Sequence, residues 1–315
     1  MLEVLSPGFL TTLQDLGRRG FERFGVPVAG ALDAFALRAA NALVQNPPEC
    51  AGLEFTLSAP TLRTWADCLV AAAGPGVRLW VDGRRIPTWM AAFVRYGWTV
   101  RLEIDSGWGY LAVAGGIDAP PLMGSRATYL RAGLGGLEGR ALQAGDVLPL
   151  GAPRCADFFG RAGKSLPLES LPYESPQLQQ VTLDAIPGPQ EGAFTPAALE
   201  TFYNSAYTIA AQSDRMGCRL EGPALEHAAP ADILSEGISL GAVQVPADGK
   251  PIILLADRQA TGGYTKIATL ASASLPRLAQ SFPGGAACLR FRRVSVEQAQ
   301  ADWRALLGRL ERAAK

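Results

Sequence analysis

Short apolar runs, separated by glycine and proline, dominate the first half of the chain. Four of these runs have the length and composition of β-strands: 69–73, 77–81, 99–104 and 110–114. Short strands that alternate with turn residues are typical of a β-barrel or a β-sandwich. The pattern therefore predicts a mainly β fold.

Two segments depart from this pattern and predict helices. The segment at about 33–45 is rich in alanine and leucine, and Asp33 at its start has the side chain of an N-cap. Near the C-terminal end, Ser295 and Gln298 have the spacing of a capping box. Apolar residues then recur at a helical period: Val296, Ala299, Trp303, Leu306, Leu307 and Leu310. We therefore expect a closing helix over about 296–312.

The β-rich stretches predict two domains. At roughly 150 residues per domain, a chain of 315 residues accommodates two domains, each with its own core. Between 151 and 180 the pattern dissolves into glycine, proline, serine and scattered charge, which indicates a linker or an excursion. An Asp-Gly turn before an apolar run occurs at Asp82–Gly83 and again at Asp248–Gly249. This short repeat predicts that the two domains, 1–150 and 181–315, are related to each other.

The charge balance argues against two classes of partner. The 29 basic and 29 acidic residues cancel, so no overall field attracts the chain to nucleic acid or to anionic lipid. No apolar run approaches the ~18 residues of a membrane span, and the N-terminus does not resemble a signal peptide. Five widely spaced cysteines without a C-x-x-C pair predict free thiols: Cys50, Cys68, Cys155, Cys218 and Cys288. We expect a cytoplasmic protein that binds neither nucleic acid nor membrane.

The chain has a single histidine, His227. One imidazole cannot build a histidine zinc site, and no serine or cysteine adjoins His227 in its proline-flanked segment. This context predicts an exposed or capping residue. Any catalysis is therefore expected to depend on carboxylates, arginine, lysine and hydroxyl groups.

The most polar, glycine-rich stretch of the C-terminal half runs from Leu255 to Lys266. Its double glycine allows the backbone to approach a ligand closely, and fixed donors around it suit an anionic or amide-bearing ligand. The alternative is a polar hairpin turn with a surface lysine. The candidate site residues of this stretch are Asp257, Arg258, Gln259, Thr261, Gly262, Gly263, Tyr264 and Lys266.

Two further polar clusters lie within about 55 residues of this stretch. The segment 212–222 contributes Ser213, Asp214 and Arg215, and the segment 233–237 contributes Glu236. An Asp-Arg ion pair at a turn is the alternative interpretation of the first cluster. Taken together, the three clusters predict one lined cleft. We expect Lys266 and Arg258 to be exposed, so that their removal changes activity more than stability.

Two glycine-rich segments imitate phosphate loops without meeting their requirements. In Gly133–Gly139, Glu138 occupies the third glycine position of a dinucleotide-binding loop. In Ala162–Ser165, which resembles the end of a P-loop, Phe158 stands where the leading glycine belongs. The sequence therefore predicts no nucleotide-binding loop in either segment.

An ordered set of motifs extends over nearly the whole chain: Leu10–Arg18, Gly25–Pro27, Gly30–Asp33, Tyr110–Ile117, Ser213–Gly217, Ile233–Gly237 and Asp257–Gln259. This set resembles one known family, that of the 5-oxoprolinase C subunits. The family includes allophanate hydrolase subunit 2, the Kip-antagonist proteins and the C-terminal half of the urea carboxylase carboxyltransferase domain. The chain departs from the usual pattern at Ala260, Thr265 and Cys218.

This resemblance implies two related cyclophilin-like β-barrel domains and a chain that works in a heteromeric complex. The implied partners are a Kip-inhibitor-like B subunit and an A subunit, and the implied reaction is the ATP-dependent opening of 5-oxoproline to glutamate, an amide hydrolysis. ATP and magnesium would act at the level of the complex, with no metal held permanently by this chain.

The resemblance also implies roles for groups of residues within the cleft, without a separate role for each residue. Arg258, Lys266 and Arg215 would meet negative charge. The carboxylates would hold magnesium or move a proton, and Gln259 with Thr261 would bind the amide. The implied catalytic set is Lys266, Arg258, Asp257 and Asp214. The implied substrate-binding set is Gln259, Thr261, Gly262, Gly263, Tyr264, Ser213, Arg215 and Glu236.

Two other functions remain open at this stage. A biotin-dependent carboxyltransferase component would act on urea or another small amide. The chain has no Ala-Met-Lys-Met-like segment, so biotin would have to arrive on another protein. A non-catalytic regulator would instead bind a kinase-inhibitor partner.

Overall fold

The computed structural model describes residues 1–154, 156–173, 180–282 and 288–314. The chain is mainly β with a few helices, as the sequence predicts. It divides into two compact units. Unit 1 comprises Met1–Arg18, Ala29–Leu171 and Arg309–Lys315, and unit 2 comprises Arg19–Val28 and Pro172–Gly308.

Unit 1 contains two antiparallel sheets. The strands of the six-stranded sheet, in spatial order, are β11 (Val147–Leu148), β1 (Leu2–Ser6), β4 (Thr61–Thr64), β9 (Thr99–Ile104), β6 (Val77–Val81) and β7 (Arg84–Ile86). Those of the five-stranded sheet are β2 (Leu10–Gln14), β3 (Gly52–Thr56), β10 (Trp108–Val113), β5 (Cys68–Ala73) and β8 (Ala91–Val94). Side chains from both sheets, among them Leu79 and Phe55, pack into one core.

The predicted elements of unit 1 occur close to their expected positions. The runs 77–81 and 99–104 form β6 and β9, and the other two form β5 and β10 with ends shifted by one or two residues. The predicted helix is α1 (Ala34–Leu43), and Asp33 Oδ1 accepts a hydrogen bond from Ala36 N at 2.9 Å. The N-cap prediction is therefore confirmed.

The segment 151–180 is predicted to be a linker or an excursion, and its first two thirds are not a linker, because residues up to Leu171 belong to unit 1. A short helix, α2 (Phe158–Arg161), lies in this segment. Buried Leu166 donates a backbone hydrogen bond to Trp89 O at 2.9 Å. A few backbone hydrogen bonds and one buried side chain hold the segment, and such anchoring leaves no periodic pattern in the sequence.

A buried hydrogen-bond network connects the start of α1 to the five-stranded sheet. The hydroxyl of Tyr110 donates to Glu54 Oε2 at 2.7 Å and accepts from Asp33 N at 2.8 Å. The same carboxylate oxygen accepts from Leu32 N at 2.8 Å. Burial, reinforced by the carboxylates of Glu54 and Asp33, raises the pKa of Tyr110 well above its usual value. The phenol therefore stays neutral and keeps its donor.

The main sheet of unit 2 has seven strands and is nearly closed. Its edge strands come together where Tyr207, next to β13, donates to Leu289 O at 2.9 Å and accepts from Leu289 N at 2.7 Å. The strands in spatial order are β13 (Thr208–Ile209), β14 (Gly217–Glu221), β17 (Ile252–Leu254), β16 (Ala242–Gln244), β19 (Lys266–Leu270), β12 (Gln180–Pro187) and β20 (Cys288–Arg293). Of the strand pairs in this sheet, only β12–β20 is parallel within the described residues. This arrangement agrees with the expected barrel.

Two strands outside this sheet form a separate antiparallel pair, β15 (Asp232–Gly237) and β18 (Thr261–Tyr264), which we call the ribbon. Glu236 lies opposite Gly262 in its register. The ribbon thus brings two of the three polar clusters of the sequence into direct contact.

Three helices accompany the sheets of the C-terminal half: α3 (Pro196–Asn204), α4 (Leu275–Gln280) and α5 (Val296–Ala313). The closing helix occurs where the sequence predicts it. Ser295 Oγ accepts from Gln298 N at 3.2 Å, but the Gln298 side chain donates to Asp302 Oδ1, so half of the capping box forms. None of the helices in the described ranges has the length and apolarity needed to cross a membrane.

Four cysteines are free thiols: Cys50, Cys68, Cys218 and Cys288. Cys155 lies outside the described residues. Burial raises the pKa of Cys50 and Cys68, and it raises the pKa of Cys218 to about 12. These three thiols are therefore protonated at neutral pH and are poor nucleophiles.

The buried phenol predicts a specific loss of stability. We expect Tyr110→Phe to lower the free energy of unfolding by about 1–3 kcal/mol, because Asp33 N–H would lose its acceptor inside the protein. Urea denaturation followed by fluorescence measures the change. Tyr96→Phe, at a side chain that is 64% exposed, serves as the control and should unfold like the wild type. Equal stability of the two variants would contradict the role assigned to the network.

Candidate functional site

The polar segments 212–222 and 255–266 meet in a buried ion pair. Arg215 Nε donates to Asp257 Oδ2 at 3.0 Å, and Arg215 Nη2 donates to Asp257 Oδ1 at 2.9 Å. Both side chains are less than a tenth exposed, and Asp257 N also donates to Arg215 O at 2.8 Å. This two-point contact joins the loop before β14 to the loop after β17. It engages both oxygens of Asp257, which was expected to be catalytic.

Asp214 and Ser213 serve the turn in which they lie. Asp214 Oδ1 accepts from Met216 N at 2.8 Å and from Gly217 N at 3.1 Å. Ser213 Oγ accepts from Arg219 N at 3.0 Å. Such side-chain to backbone bonds are typical of Asp and Ser in turns. The structure therefore supplies a structural role for two residues that were expected to catalyse or bind.

Arg258 connects the loop after β17 to the end of the ribbon. Its Nε donates to Ile238 O at 3.0 Å and its Nη1 to Leu255 O at 3.2 Å. Only 9% of the residue is exposed, and burial lowers the pKa of the guanidinium while the negative charge of Glu22 opposes this effect. Arg258 remains charged because the pKa of arginine is so high.

Lys266 is buried and has its counterion on the ribbon. Its side chain is 4% exposed, whereas that of Glu236 is 44% exposed, and Lys266 Nζ lies 2.5 Å from Glu236 Oε1. The contact is a close ion pair. Gln190 Nε2 donates to the same Glu236 oxygen at 2.8 Å. Lys266 foremost, and then Gln190, lower the pKa of Glu236.

Gln244 and Gly262 complete this group of residues. Gln244 lies directly opposite Lys266 in the β16–β19 register, so both side chains are on the same face of the sheet. A Cβ on Gly262 would come within 2.9 Å of Gln244 Nε2, which means that the glycine allows this amide to approach the ribbon. We call Gln190, Glu236, Gln244, Gly262 and Lys266 the lysine cluster.

The remaining candidates lie within the ribbon or just before its second strand, and they differ in exposure. Gln259 Nε2 lies 3.4 Å from the same Cβ position of Gly262, so this exposed residue adjoins the cluster. Thr261 is exposed, and Gly263 is half-buried. Tyr264, which is 41% exposed, lines a cavity of about 660 Å³ together with exposed charged residues such as Lys250. Tyr264 is the only predicted site residue in that cavity.

The expectation that Lys266 and Arg258 are exposed is wrong, because both are buried, as are Asp257 and Arg215. The reason is that each one has a partner: a carboxylate, an arginine or backbone carbonyl groups. Buried charges are retained in proteins when such partners compensate their desolvation. Substitution of these residues will therefore change stability as well as activity.

His227 is half-buried rather than exposed, contrary to the sequence-based expectation. Its Nε2 lies 3.2 Å from Val245 O and 3.1 Å from Thr265 Oγ1, and its ring centroid lies 4.7 Å from that of Phe194. Thr265, where the resembled family usually has proline, also donates its backbone N–H to Ala231 O. The departure at Thr265 thus adds contacts that proline could not make.

The acidic candidates do not converge on a metal ion. In the part of the chain that the structure describes, no three His, Cys, Asp or Glu side chains are grouped closely enough to hold one. Asp257 is bound by Arg215, Asp214 by its own turn and Glu236 by Lys266. Their expected use as a shared magnesium site does not agree with this arrangement.

Sequence reasoning missed Gln190 and Gln244. Gln190 follows Pro187-Gly188-Pro189, and a Cβ on Gly188 would lie 2.2 Å from Lys266 O, so the chain passes very close to β19 there. Gln244 is the one polar residue in the strand Ala242–Gln244, which Val245 follows. A single polar residue in an apolar strand was the available signal, since a buried polar group is more informative than an exposed one.

A comparison with known protein families matches residues 24–293 to the family described as "Carboxyltransferase domain, subdomain A and B". The chain is 39% identical to the C subunit of 5-oxoprolinase from Escherichia coli over 282 residues, which cover 89% of this chain and 87% of that protein. It is 36% identical to the C subunit of 5-oxoprolinase from Haemophilus influenzae, covering 95% and 93% of the two chains.

The fold is also similar to part of a larger solved structure, the urea amidolyase of K. lactis. The superposition has a TM-score of 0.90 with 28% sequence identity, and it covers 99% of this chain. The chain spans only 20% of that protein's length. The likeness therefore concerns one part of a much longer polypeptide.

The Arg215–Asp257 pair predicts a large stability effect. We expect Arg215→Met to lower the free energy of unfolding by about 3–5 kcal/mol, because it leaves the Asp257 carboxylate buried without a partner. The double variant Arg215→Met, Asp257→Leu should recover most of the loss. Urea denaturation measures both. Lys250→Met, which removes an exposed pair with Glu221, is the control and should change little. Wild-type stability of Arg215→Met would refute this assignment.

The Lys266–Glu236 pair predicts a shifted titration. Because the pKa of Glu236 is lowered from 4.5 in the folded state, its ionised form stabilises the fold above that pH. This contribution is lost as the pH falls through the lowered value. Carboxyl ¹³C NMR should show a Glu236 midpoint below 4.5 in the wild type and a higher midpoint in Lys266→Met. An unchanged midpoint in that variant would show that Lys266 is not the cause.

Proposed function

Because the chain belongs to the family of carboxyltransferase domains with subdomains A and B, we propose that it is the C subunit of a heteromeric, ATP-dependent 5-oxoprolinase. This enzyme would open 5-oxoproline to glutamate. The observation that carries the proposal is the match of two 5-oxoprolinase C subunits to this chain over most of both lengths. Free thiols are typical of a reducing compartment, which is the reason to place the complex in the cytoplasm.

The lysine cluster supplies groups that suit a lactam substrate. Opening the ring requires water to add to the carbonyl carbon, the C–N bond to break and the nitrogen to take up a proton. Negative charge develops on the carbonyl oxygen during the addition, and a preorganised cation stabilises it. We assign this role to Lys266, which is held in place by Glu236. Glu236 has a lowered pKa and is therefore a weak base, better suited to orient Lys266 than to accept a proton.

The residues of this chain do not fit a resident nucleotide or magnesium ion. Arg215 is already paired with the Asp257 carboxylate, and Arg258 is hydrogen-bonded to backbone carbonyls. The described acidic side chains form no metal-holding group. We therefore assign ATP and magnesium to the companion chains. In this assignment the Arg215–Asp257 pair and Arg258 position the ribbon and its loops.

The companions would be a Kip-inhibitor-like B subunit and an A subunit. The designation of the relatives as C subunits supports the existence of partner chains. A site divided between chains needs a stable interface, typically of at least about 1,000 Å². We expect this chain to contribute the lysine cluster and the partners to contribute the nucleotide.

Carboxyl transfer to urea or another small amide is the second candidate. The similarity to urea amidolyase favours it, although the chain spans only a fifth of that protein. None of the four lysines adjoins a methionine, so biotin would have to arrive on another protein. Both candidates share a small amide as the substrate, which the lysine cluster suits equally.

Reconstitution decides between these functions. We expect the chain alone to release no glutamate from 5-oxoproline, ATP and magnesium, and the mixture with its two companion chains to release it. Lys266→Met should reduce this release at least about a hundredfold, which corresponds to the loss of one strong transition-state contact. Enzymatic glutamate assay measures the rates.

Lys164→Met, at an exposed lysine of unit 1, is the matched control and should act like the wild type. Equal release by the lone chain would contradict the divided site. No release by the full mixture, with carboxylation of urea when a biotinylated partner is present, would favour carboxyl transfer.

A further inference from the structure

Gln244 carries a buried amide whose nitrogen is unsatisfied. The residue is 2% exposed, and Nε2 meets no hydrogen-bond acceptor among the residues that the structure describes. Burial of an amide without a partner destabilises a protein, and an apolar side chain of similar size would remove that cost. The rest of β16 is apolar. A group that destabilises the fold at such a position is a candidate for ligand recognition.

The amide is directed toward the ribbon at Gly262, which has no side chain. Gln244 Nε2 and Gln259 Nε2 lie 2.9 and 3.4 Å from the position that a Cβ on Gly262 would occupy. Gln259 is exposed, so the buried amide lies close beneath the protein surface. The ribbon strand that carries Gly262 also carries Tyr264, and its partner strand carries Glu236. Gln244 thus places a buried amide next to the ribbon.

The chemistry of a carboxamide limits the kind of ligand. Its N–H donor and C=O acceptor lie side by side. A cis amide, such as a five-membered lactam, presents a C=O acceptor and an N–H donor in the complementary order. The two edges can therefore form two parallel hydrogen bonds. A carboxylate or a phosphate offers acceptors only and can use no more than half of the Gln244 edge.

We propose that Gln244 recognises the amide edge of the substrate: Nε2–H donates to the lactam oxygen, and Oε1 accepts from the lactam N–H. Lys266, its neighbour across the β16–β19 register, then lies beside the same oxygen. The identification of the ligand as 5-oxoproline rests on the proposed function. The recognition of a cis amide by Gln244 explains why one site suits both a lactam and urea, which present the same edge.

The test compares two ligands in the assembled complex of this chain with its two companion chains. The ligands are 5-oxoproline and N-methyl-5-oxoproline, which lacks the N–H donor. In the wild type we expect 5-oxoproline to bind at least about tenfold more tightly by calorimetry, because the methylated lactam leaves Gln244 Oε1 without a donor. In Gln244→Met this preference should fall to about twofold or less. Gln244→Glu, which keeps the shape but loses the donor, should also raise KM about tenfold.

The thermal stability of Gln244→Met distinguishes a ligand-binding role of Gln244 from a structural role. Gln244→Met should unfold at the same temperature as the wild type or at a higher one, because it removes an unsatisfied buried amide. A structural Gln244 would instead make this variant less stable. Gln300→Met, at an exposed glutamine on α5, is the matched control and should leave binding, KM and melting temperature unchanged.

The outcomes separate this inference from the proposed function. If the complex releases glutamate while Gln244→Met keeps the wild-type preference for the unmethylated lactam, the inference is wrong and the function stands. A destabilised Gln244→Met also overturns it. If the wild-type complex neither binds nor opens 5-oxoproline, the proposed function fails, and the assignment of Gln244 to a lactam fails with it.

Discussion

Burial of an ammonium group is unfavourable unless a counterion accompanies it, and this constraint shapes the site around Lys266. The counterion, Glu236, is on the ribbon rather than on the sheet that carries the lysine. The ribbon must therefore remain at the position where its carboxylate reaches Nζ. Gln190 and Arg258 reinforce this position, the first through Glu236 and the second through Ile238 O.

The ion pair of Arg215 and Asp257 likewise compensates the burial of two opposite charges, in the loops before β14 and after β17. It joins two loops that both carry motifs of the resembled family, and backbone bonds between the same loops accompany it. Motif residues are therefore of two kinds in this chain. Some shape the loops, as Asp214 and Asp257 do, and others lie at the ribbon, as Glu236 and Gly262 do. A motif indicates that a residue matters without telling which of these tasks it has.

The fold was predictable from sequence wherever a local pattern decided it. The strands at 77–81 and 99–104 and the helix capped by Asp33 follow from alternation, turn residues and capping chemistry. The segment around Leu166 was not predictable, because it is held by a few long-range backbone bonds. Burial of Lys266 and Arg258 escaped sequence reasoning for a similar reason. Charge alone argues for exposure, and only the tertiary partners reverse that expectation.

Two buried polar groups, the Tyr110 hydroxyl and the Gln244 amide, differ in how completely their hydrogen-bonding capacity is used. The Tyr110 hydroxyl has both a donor and an acceptor, Asp33 N and Glu54, and it fixes α1 against its sheet. The Gln244 amide nitrogen has no acceptor in the described structure, whereas the neighbouring Lys266 ammonium has the Glu236 carboxylate as its partner. Sequences that specify a fold usually satisfy every buried polar group, and exceptions concentrate at functional sites. The position of the unsatisfied Gln244 donor next to the Lys266 ammonium, across the β16–β19 register, is therefore the strongest physical argument for locating the chemistry there.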